Sequence, residues 1–268
     1  MTNPQRLINQ LVTEFEDNQS ILGFVLVGSQ ARESIYKATE YSDLEAYLIV
    51  KDERVEEVEQ SLLGTVHKLG NILFSFKHQI GFVAVYDDLF RIELPVVRLS
   101  EIAAAFTRPK AQTIRVLIDR TEGQLENVLN SRPEQVDYAD QFASWITNFW
   151  YWQIIGVQYY KKGELYNTRA ILHIHSSTLI KLFELYNDPD ILLLESNKRV
   201  EQFLTKEQLE KISLVTPAYN EKQIEDSLRE VMVIYSEIAR SIKGKYGYSY
   251  NEKIEQDVKP RILDILKS

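Results

Sequence analysis

The hydrophobic pattern of this chain changes near its midpoint, and that change limits the folds it can adopt. Before residue 130, apolar stretches with helical period alternate with short stretches typical of strands. After residue 137 the pattern is helical almost throughout, with long segments at 138–160 and 221–246. We therefore predict an α+β fold with two domains. A mixed-sheet domain is expected over residues 1–130, and an all-helical bundle domain over residues 131–268.

Composition excludes several classes of protein. The chain has 268 residues, 44% hydrophobic and 26% charged, so it can bury a sizeable core. It has no cysteine, which excludes disulfides, cysteine metal sites and a cysteine nucleophile. A net charge of −8 argues against a nucleic-acid partner, because nucleic-acid binders usually present a basic face. No apolar run approaches a membrane span and no secretory signal is evident, so we expect a cytoplasmic protein with no membrane partner.

A glycine and a serine end the first predicted strand. Residues 21–27 are a short apolar run, which predicts a buried strand, and Gly28 and Ser29 follow it directly. Glycine lets the backbone approach a ligand closely, and a helix that begins here would present free N–H groups to an anion. Arg32 stands about one turn into that helix, within reach of a phosphate. Taken alone, these residues are more typical of a plain strand-to-helix turn than of a phosphate site.

Three acidic residues fall on predicted strands whose other face is apolar. Residues 43–50 alternate, so Asp43 and Glu45 share one face and apolar side chains take the other. Residues 90–97 alternate too, with Glu93 on the polar face. If the two strands are neighbours, about 4.8 Å apart, the three acids form one cluster. Such a cluster suits Mg²⁺ shared with substrate phosphates, and acids that simply project into solvent are the alternative.

The order of these motifs resembles the nucleotidyltransferase superfamily related to DNA polymerase β. Gly28-Ser29 is followed by Ser42-Asp43-Leu44-Glu45 and then by a single acid on a later strand. Length and layout further resemble the antibiotic nucleotidyltransferases, most of all the lincosamide nucleotidyltransferases of the B type and also the aminoglycoside 6-adenylyltransferases. Glutamate as the second and third acid favours the lincosamide group. Glu33 departs from the pattern, since many superfamily members have glycine there.

The resemblance implies a reaction and a set of residues that perform it. The reaction is transfer of a nucleoside monophosphate, AMP from ATP, to a hydroxyl of a small molecule, with Mg²⁺, two ions, as cofactor and pyrophosphate as leaving group. The residues implied for the metal and for catalysis are Asp43, Glu45 and Glu93, with Glu93 either completing the metal site or acting as general base. The residues implied for the nucleotide are Gly28, Ser29, Arg32 and Ser42. Glu164 is a candidate contact to the acceptor.

Several functions stay open at the level of sequence. A lincosamide acceptor is favoured, and an aminoglycoside acceptor, which would need an acidic pocket, is the alternative. A nucleotidyltransferase that acts on a protein or RNA is a second hypothesis. A catalytically inactive binding module is a third, although the presence of all three acids argues against it. A homodimer is suggested by the resemblance alone.

Overall fold

Strands and helices are segregated along the chain, as the sequence predicts. The computed structural model describes residues 3–31, 38–78, 81–107, 114–132, 136–193 and 200–267. It divides into two compact units, Met1–Glu134 and Gln135–Ser268. Every described strand lies in the first unit, and the described part of the second unit is helical, so the α+β fold class is confirmed. The roles predicted for the two domains stay predictions.

The first unit is built on a seven-stranded mixed sheet. Its strands are β1 (Ile21–Val27), β2 (Leu44–Val50), β3 (Ile72–His78), β4 (Gly81–Tyr86), β5 (Arg91–Leu94), β6 (Val96–Arg98) and β7 (Arg115–Asp119). The spatial order is β3-β4-β5-β2-β1-β7, and β6 also pairs with β2. β2 runs parallel to β5 and β6, and the other pairs are antiparallel. Pro95 divides the predicted strand 90–97 into β5 and β6, because proline has no N–H to donate to a ladder.

Helices cover the two faces of this sheet unequally. The helices of the first unit are α1 (Pro4–Glu16), α2 (Val55–His67), α3 (Ile102–Ala105) and α4 (Gln124–Ser131). One face, with Leu44 and Ile92 fully buried, packs in a large apolar cluster with α1 and α2. The other face packs Val25 and Ile49 in a smaller cluster with α3 and α4. Glu45 lies on this second face, because it alternates with the buried Leu44.

The second unit is a bundle of helices around its own core. Its helices are α5 (Ala139–Lys161), α6 (Leu165–Asn187), α7 (Val200–Phe203), α8 (Lys206–Leu214), α9 (Glu221–Tyr246) and α10 (Glu252–Lys267). Phe149 of α5 stacks on Tyr235 of α9, with ring centroids 3.7 Å apart. The buried Gln153 side chain donates to the Leu228 carbonyl at 2.7 Å, which joins the same two helices. Among the described helices of either unit, none has the length and apolar character needed to cross a membrane.

Candidate functional site

The parallel pairing of β2 with β5 brings two of the predicted acids side by side. Glu45 and Glu93 are register partners, and Val27 of β1 pairs with Glu45 from the other side. Asp43 precedes Glu45 by two residues and therefore lies on the same face. The adjacency on which the predicted cluster depends is present in the structure. The roles of the three acids stay predictions.

A guanidinium group lies among these carboxylates. Arg91 donates a hydrogen bond to Oδ2 of Asp43, and its Nε lies 3.2 Å from Oε1 of Glu93. Burial by itself lowers the pKa of Arg91, but Asp43, and then Glu93 and Glu45, raise that pKa above its ordinary value. All three carboxylates therefore act on one cation. Their side chains are accessible in part, with 27% of Asp43 and 17% of Glu93 exposed.

Gly28 lies directly against Glu45. Its φ is +66°, a left-handed conformation that glycine adopts without strain. A Cβ at this position would lie 2.7 Å from Oε2 of Glu45, so a side chain there would collide with the carboxylate. The end of β1 and the second acid are thus in contact, as a shared nucleotide and metal site would require.

The α-helix predicted to begin at Gly28 and Ser29 is wrong as far as the structure describes this turn. Residues Gly28–Gln30 form a single 3₁₀ turn, and Ala31 is extended with φ −70° and ψ 142°. The turn does not continue as an α-helix because the backbone of Ala31 lies in the β region, outside the right-handed helical region. Arg32 and Glu33 lie outside the described residues.

Two further predicted residues have local structural partners. The Ser42 hydroxyl accepts a hydrogen bond from the Thr39 N–H at 2.9 Å, which fixes the segment before β2. Glu164 belongs to the second unit, where it is the N-cap residue of α6 and its carboxylate accepts from the Asn167 amide at 2.8 Å. Nucleotide contact for Ser42 and acceptor contact for Glu164 stay predictions.

A cavity of about 750 Å³ opens on the face that carries the acids. Asp43, Arg91 and Glu93 form part of its wall. An apolar part of the wall comes from the two neighbouring strands, with Phe74 and Phe76 on β3 and with Val83 and Val85 on β4. The sequence analysis did not identify this apolar wall, although the spacing of Phe74 and Phe76 places both rings on one face of their strand.

The chemistry of the three acids suits a hard divalent cation, which prefers carboxylate oxygens. As the side chains lie, no three acidic or histidine side chains within the described ranges are spaced to hold a metal ion. Arg91 bridges Asp43 and Glu93 instead. The three carboxylates converge on one cation, the Arg91 guanidinium. They would fit Mg²⁺ if that guanidinium moved away.

The sequence model of the streptomycin adenylyltransferase family matches residues 1–263. The chain belongs to that family. It is therefore a nucleotidyltransferase, and the predicted resemblance to antibiotic nucleotidyltransferases is confirmed. The narrower preference for the lincosamide group stays a prediction. A search of curated proteins finds no match to the sequence.

Solved structures provide looser likenesses. The chain is similar to an aminoglycoside 6-adenyltransferase from Bacillus subtilis, with 11% identity, 100% of both chains covered and a TM-score of 0.44. It is similar to a nucleotidyltransferase-like protein from Exiguobacterium sibiricum, with 14% identity, 90% of this chain and 78% of that chain covered and a TM-score of 0.40. A spectinomycin adenyltransferase from Enterococcus faecialis, solved with ATP and spectinomycin, has 11% identity, 90% and 100% coverage and a TM-score of 0.39.

Proposed function

We propose that this protein transfers AMP from ATP to a hydroxyl of a small antibiotic-like molecule and releases pyrophosphate. The observation that carries the proposal is the pairing of Glu45 with Glu93 on adjacent strands, with Asp43 on the same face beside a cavity. Membership of the streptomycin adenylyltransferase family supports the reaction class. The proposal concerns the residues that perform the transfer and the molecule that receives AMP.

The three acids have two proposed roles, metal binding and proton transfer. Mg²⁺, when bound by Asp43, Glu45 and Glu93, would neutralise phosphate charge at the reacting centre. The acceptor oxygen attacks the α-phosphorus of ATP, a new P–O bond forms, and the bond from the α-phosphorus to the bridging oxygen breaks as pyrophosphate leaves. Glu93 either completes the metal site or takes the proton of the acceptor hydroxyl, since a free hydroxyl is a weak nucleophile.

We assign the triphosphate to the turn at the end of β1. The left-handed Gly28 sets this turn directly against Glu45, so a triphosphate at the turn would lie beside the proposed metal ligands. Ser29 is a partly exposed residue, and its hydroxyl can donate to a phosphate oxygen. Nε2 of Gln30 is buried and has no hydrogen-bond partner among the described residues, so this turn also holds an unused donor.

The charge of the cavity favours a cationic acceptor. Of the lining residues that the structure describes, four carry carboxylates and one carries a guanidinium. The acidic residues are Glu40, Asp43, Asp88 and Glu93, and the basic one is Arg91. Asp43 and Glu93 are assigned to Mg²⁺, so Glu40 and Asp88 are the carboxylates of the wall that would face a cationic acceptor. An aminoglycoside-like polycation suits them better than a lincosamide, which was favoured only by the identity of the second and third acids. We therefore place aminoglycoside-like acceptors first and lincosamides second.

The test is pyrophosphate release with ATP and Mg²⁺ against streptomycin, spectinomycin, other aminoglycosides and lincosamides, with mass spectrometry of the product. We expect an AMP adduct on one class and at least a roughly hundredfold lower turnover in Asp43→Asn and Glu45→Gln. Glu56→Gln, an exposed acid on α2, is the matched control and should retain full activity. Full activity in Asp43→Asn would contradict the assignment of the acids. ATP binding without an adduct on any antibiotic would contradict the acceptor class.

A further inference from the structure

The apolar wall of the cavity is continuous with the acids across four strands of the sheet. Phe76 of β3 pairs with Val83 of β4, Val83 pairs with Glu93 of β5, and Glu93 pairs with Glu45 of β2. Register partners lie side by side, with strands about 4.8 Å apart. The backbone of Phe76 is therefore about 10 Å from that of Glu93. A molecule of the size of one or two sugar rings can touch both.

A second row runs parallel to the first. Phe74 pairs with Val85, and Val85 pairs with Arg91. The rings of Phe74 and Phe76 are stacked, with centroids 6.3 Å apart and 21° between their planes. Phe74 is 55% exposed and Phe76 is 45% exposed. Two neighbouring exposed aromatic rings that line a cavity indicate a binding surface, whereas an isolated exposed ring does not.

The charge and the size of the cavity restrict what can occupy it. The carboxylates at its wall outnumber the guanidinium among the described lining residues, so an organic anion is disfavoured and a cation is favoured. A volume of about 750 Å³ is in the range of sites for drug-sized ligands. Aromatic rings additionally attract cations that lie within about 6 Å of their faces.

We propose that Phe74, Phe76, Val83 and Val85 form an acceptor subsite that takes the apolar ring face of a hydroxylated organic cation. The cationic groups of this acceptor face Glu40 and Asp88, the carboxylates of the cavity that are not assigned to Mg²⁺, and one hydroxyl reaches Glu93. The inference rests on the proposed function, because it treats the cavity as the acceptor site. It also predicts which molecules can be acceptors: the acceptor must present an apolar face about 10 Å from the hydroxyl that is modified.

The first test compares Phe74→Ala with Leu73→Ala. Leu73 is the preceding residue on β3 and is 56% exposed, but it does not line the cavity, so it matches Phe74 in exposure and not in position. With the antibiotic that proves to be the best acceptor, we expect Phe74→Ala to raise the acceptor KM about tenfold, leaving the KM for ATP unchanged. Equal effects of the two variants would overturn the proposal. A higher KM for ATP in Phe74→Ala would also overturn the proposal, because it would show that the apolar wall binds the nucleobase of ATP.

The second test needs no turnover and so separates this inference from the proposed function. The probes are 2-naphthylmethylammonium and 2-naphthoate, which share an aromatic ring and differ in charge, titrated by ligand-observed NMR without nucleotide. We expect the ammonium to bind at least about tenfold more tightly than the carboxylate, and Phe74→Ala but not Leu73→Ala to weaken it. Equal affinity for the two probes, or an unchanged affinity for the ammonium probe in Phe74→Ala, would overturn the proposed subsite. A positive result together with absent AMP transfer would contradict the proposed function alone.

A conservative variant protects both tests from a folding artefact. Phe74→Leu keeps an apolar side chain at the same place and removes the ring. We expect it to bind 2-naphthylmethylammonium with an affinity between those of the parent and Phe74→Ala. An affinity for Phe74→Leu equal to that of the parent would show that the ring does not contribute to binding the probe, and would overturn the proposal.

Discussion

At the scale of single residues, Arg91 decides the charge balance of the site. Its guanidinium contacts Asp43 and Glu93, two of the acids assigned to Mg²⁺, so protein cation and metal ion compete for the same oxygens. An ion pair at about 4 Å in a water-like medium contributes about 1 kcal/mol. Removing two such contacts leaves the carboxylates available to a metal ion, at the cost of their mutual repulsion when no metal is bound.

We therefore predict that Arg91→Gln binds Mn²⁺ about tenfold more tightly than the parent in the absence of nucleotide. The measurement is the free Mn²⁺ signal in electron paramagnetic resonance during titration. Arg98→Gln is the matched control, because Arg98 lies on the same sheet, is 47% exposed against 48% for Arg91, and pairs with Glu101 outside the acidic cluster. An unchanged or weaker Mn²⁺ affinity in Arg91→Gln would show that the guanidinium does not compete with the metal.

At the scale of elements, strands were predictable where one face is buried. The alternation in residues 43–50 and 90–97 identified β2 and β5 and the faces of their acids, because Leu44 and Ile92 are both fully buried. The apolar wall on β3 was not predicted, because this strand does not alternate between apolar and polar residues. Ile72, Leu73 and Phe74 are apolar in succession, a pattern typical of a strand buried on both sides, although Leu73 and Phe74 are exposed.

Short helices and turns were less predictable than strands. The long helix α9 was predicted with its observed bounds, since its apolar stripe repeats over about seven turns and Gly247 ends it. The shorter α8 was not predicted, because its nine residues leave no side chain fully buried to mark a stripe. No local pattern in the sequence shows that the chain becomes extended at Ala31, so the turn at Gly28 was predicted as the first turn of an α-helix.

The turn at Gly28 gives the second prediction. Gly28→Ala should destabilise the fold by about 1–2 kcal/mol through its left-handed backbone, and should also displace the Glu45 carboxylate. Gly123→Ala is the control, because Gly123 has a φ of +84° and a Cβ there would meet no described atom within 4 Å beyond its chain neighbours. We expect similar losses in urea unfolding for both variants, but a fall in AMP transfer of about a hundredfold for Gly28→Ala alone. An equal loss of AMP transfer in both variants would show that the loss comes from reduced stability and not from the position of Glu45.

At the scale of the whole molecule, the site depends on contacts that are distant in sequence. β2 is followed by the β3–β4 hairpin along the chain, yet the sheet order places β5 next to β2 and the hairpin beyond it. Local periodicity carries no information about this order, so the cluster of Glu45 and Glu93 could be stated only as conditional. The same topology sets the apolar wall beside the acids, which is why the subsite emerged from the structure and not from the sequence.

The stability of the second unit should depend on pH through two buried groups of α6. Burial lowers the pKa of His175 from 6.5 to about 3, so its stabilising contribution is present above pH 6.5 and is lost as pH falls toward 3. Burial, opposed by Lys181, raises the pKa of Glu184 from 4.5 to about 7. The stabilising contribution of Glu184 is therefore complete below about pH 4.5 and is lost as pH rises through 7. Between these limits the two groups oppose each other.

The third prediction isolates Glu184, which is 1% exposed and whose Oε2 has no hydrogen-bond partner among the described residues. Glu184→Gln keeps the shape and cannot ionise, so we expect it to exceed the parent in unfolding free energy by on the order of 3 kcal/mol at about pH 8 and to match it near pH 4. Urea unfolding followed by tryptophan fluorescence reports the second unit, because Trp145, Trp150 and Trp152 are the three tryptophans of the chain. Exposed Glu201→Gln should change neither value. A Glu184→Gln variant that is equally stable or less stable at the higher pH would mean that Glu184 stays ionised with a partner that compensates its charge.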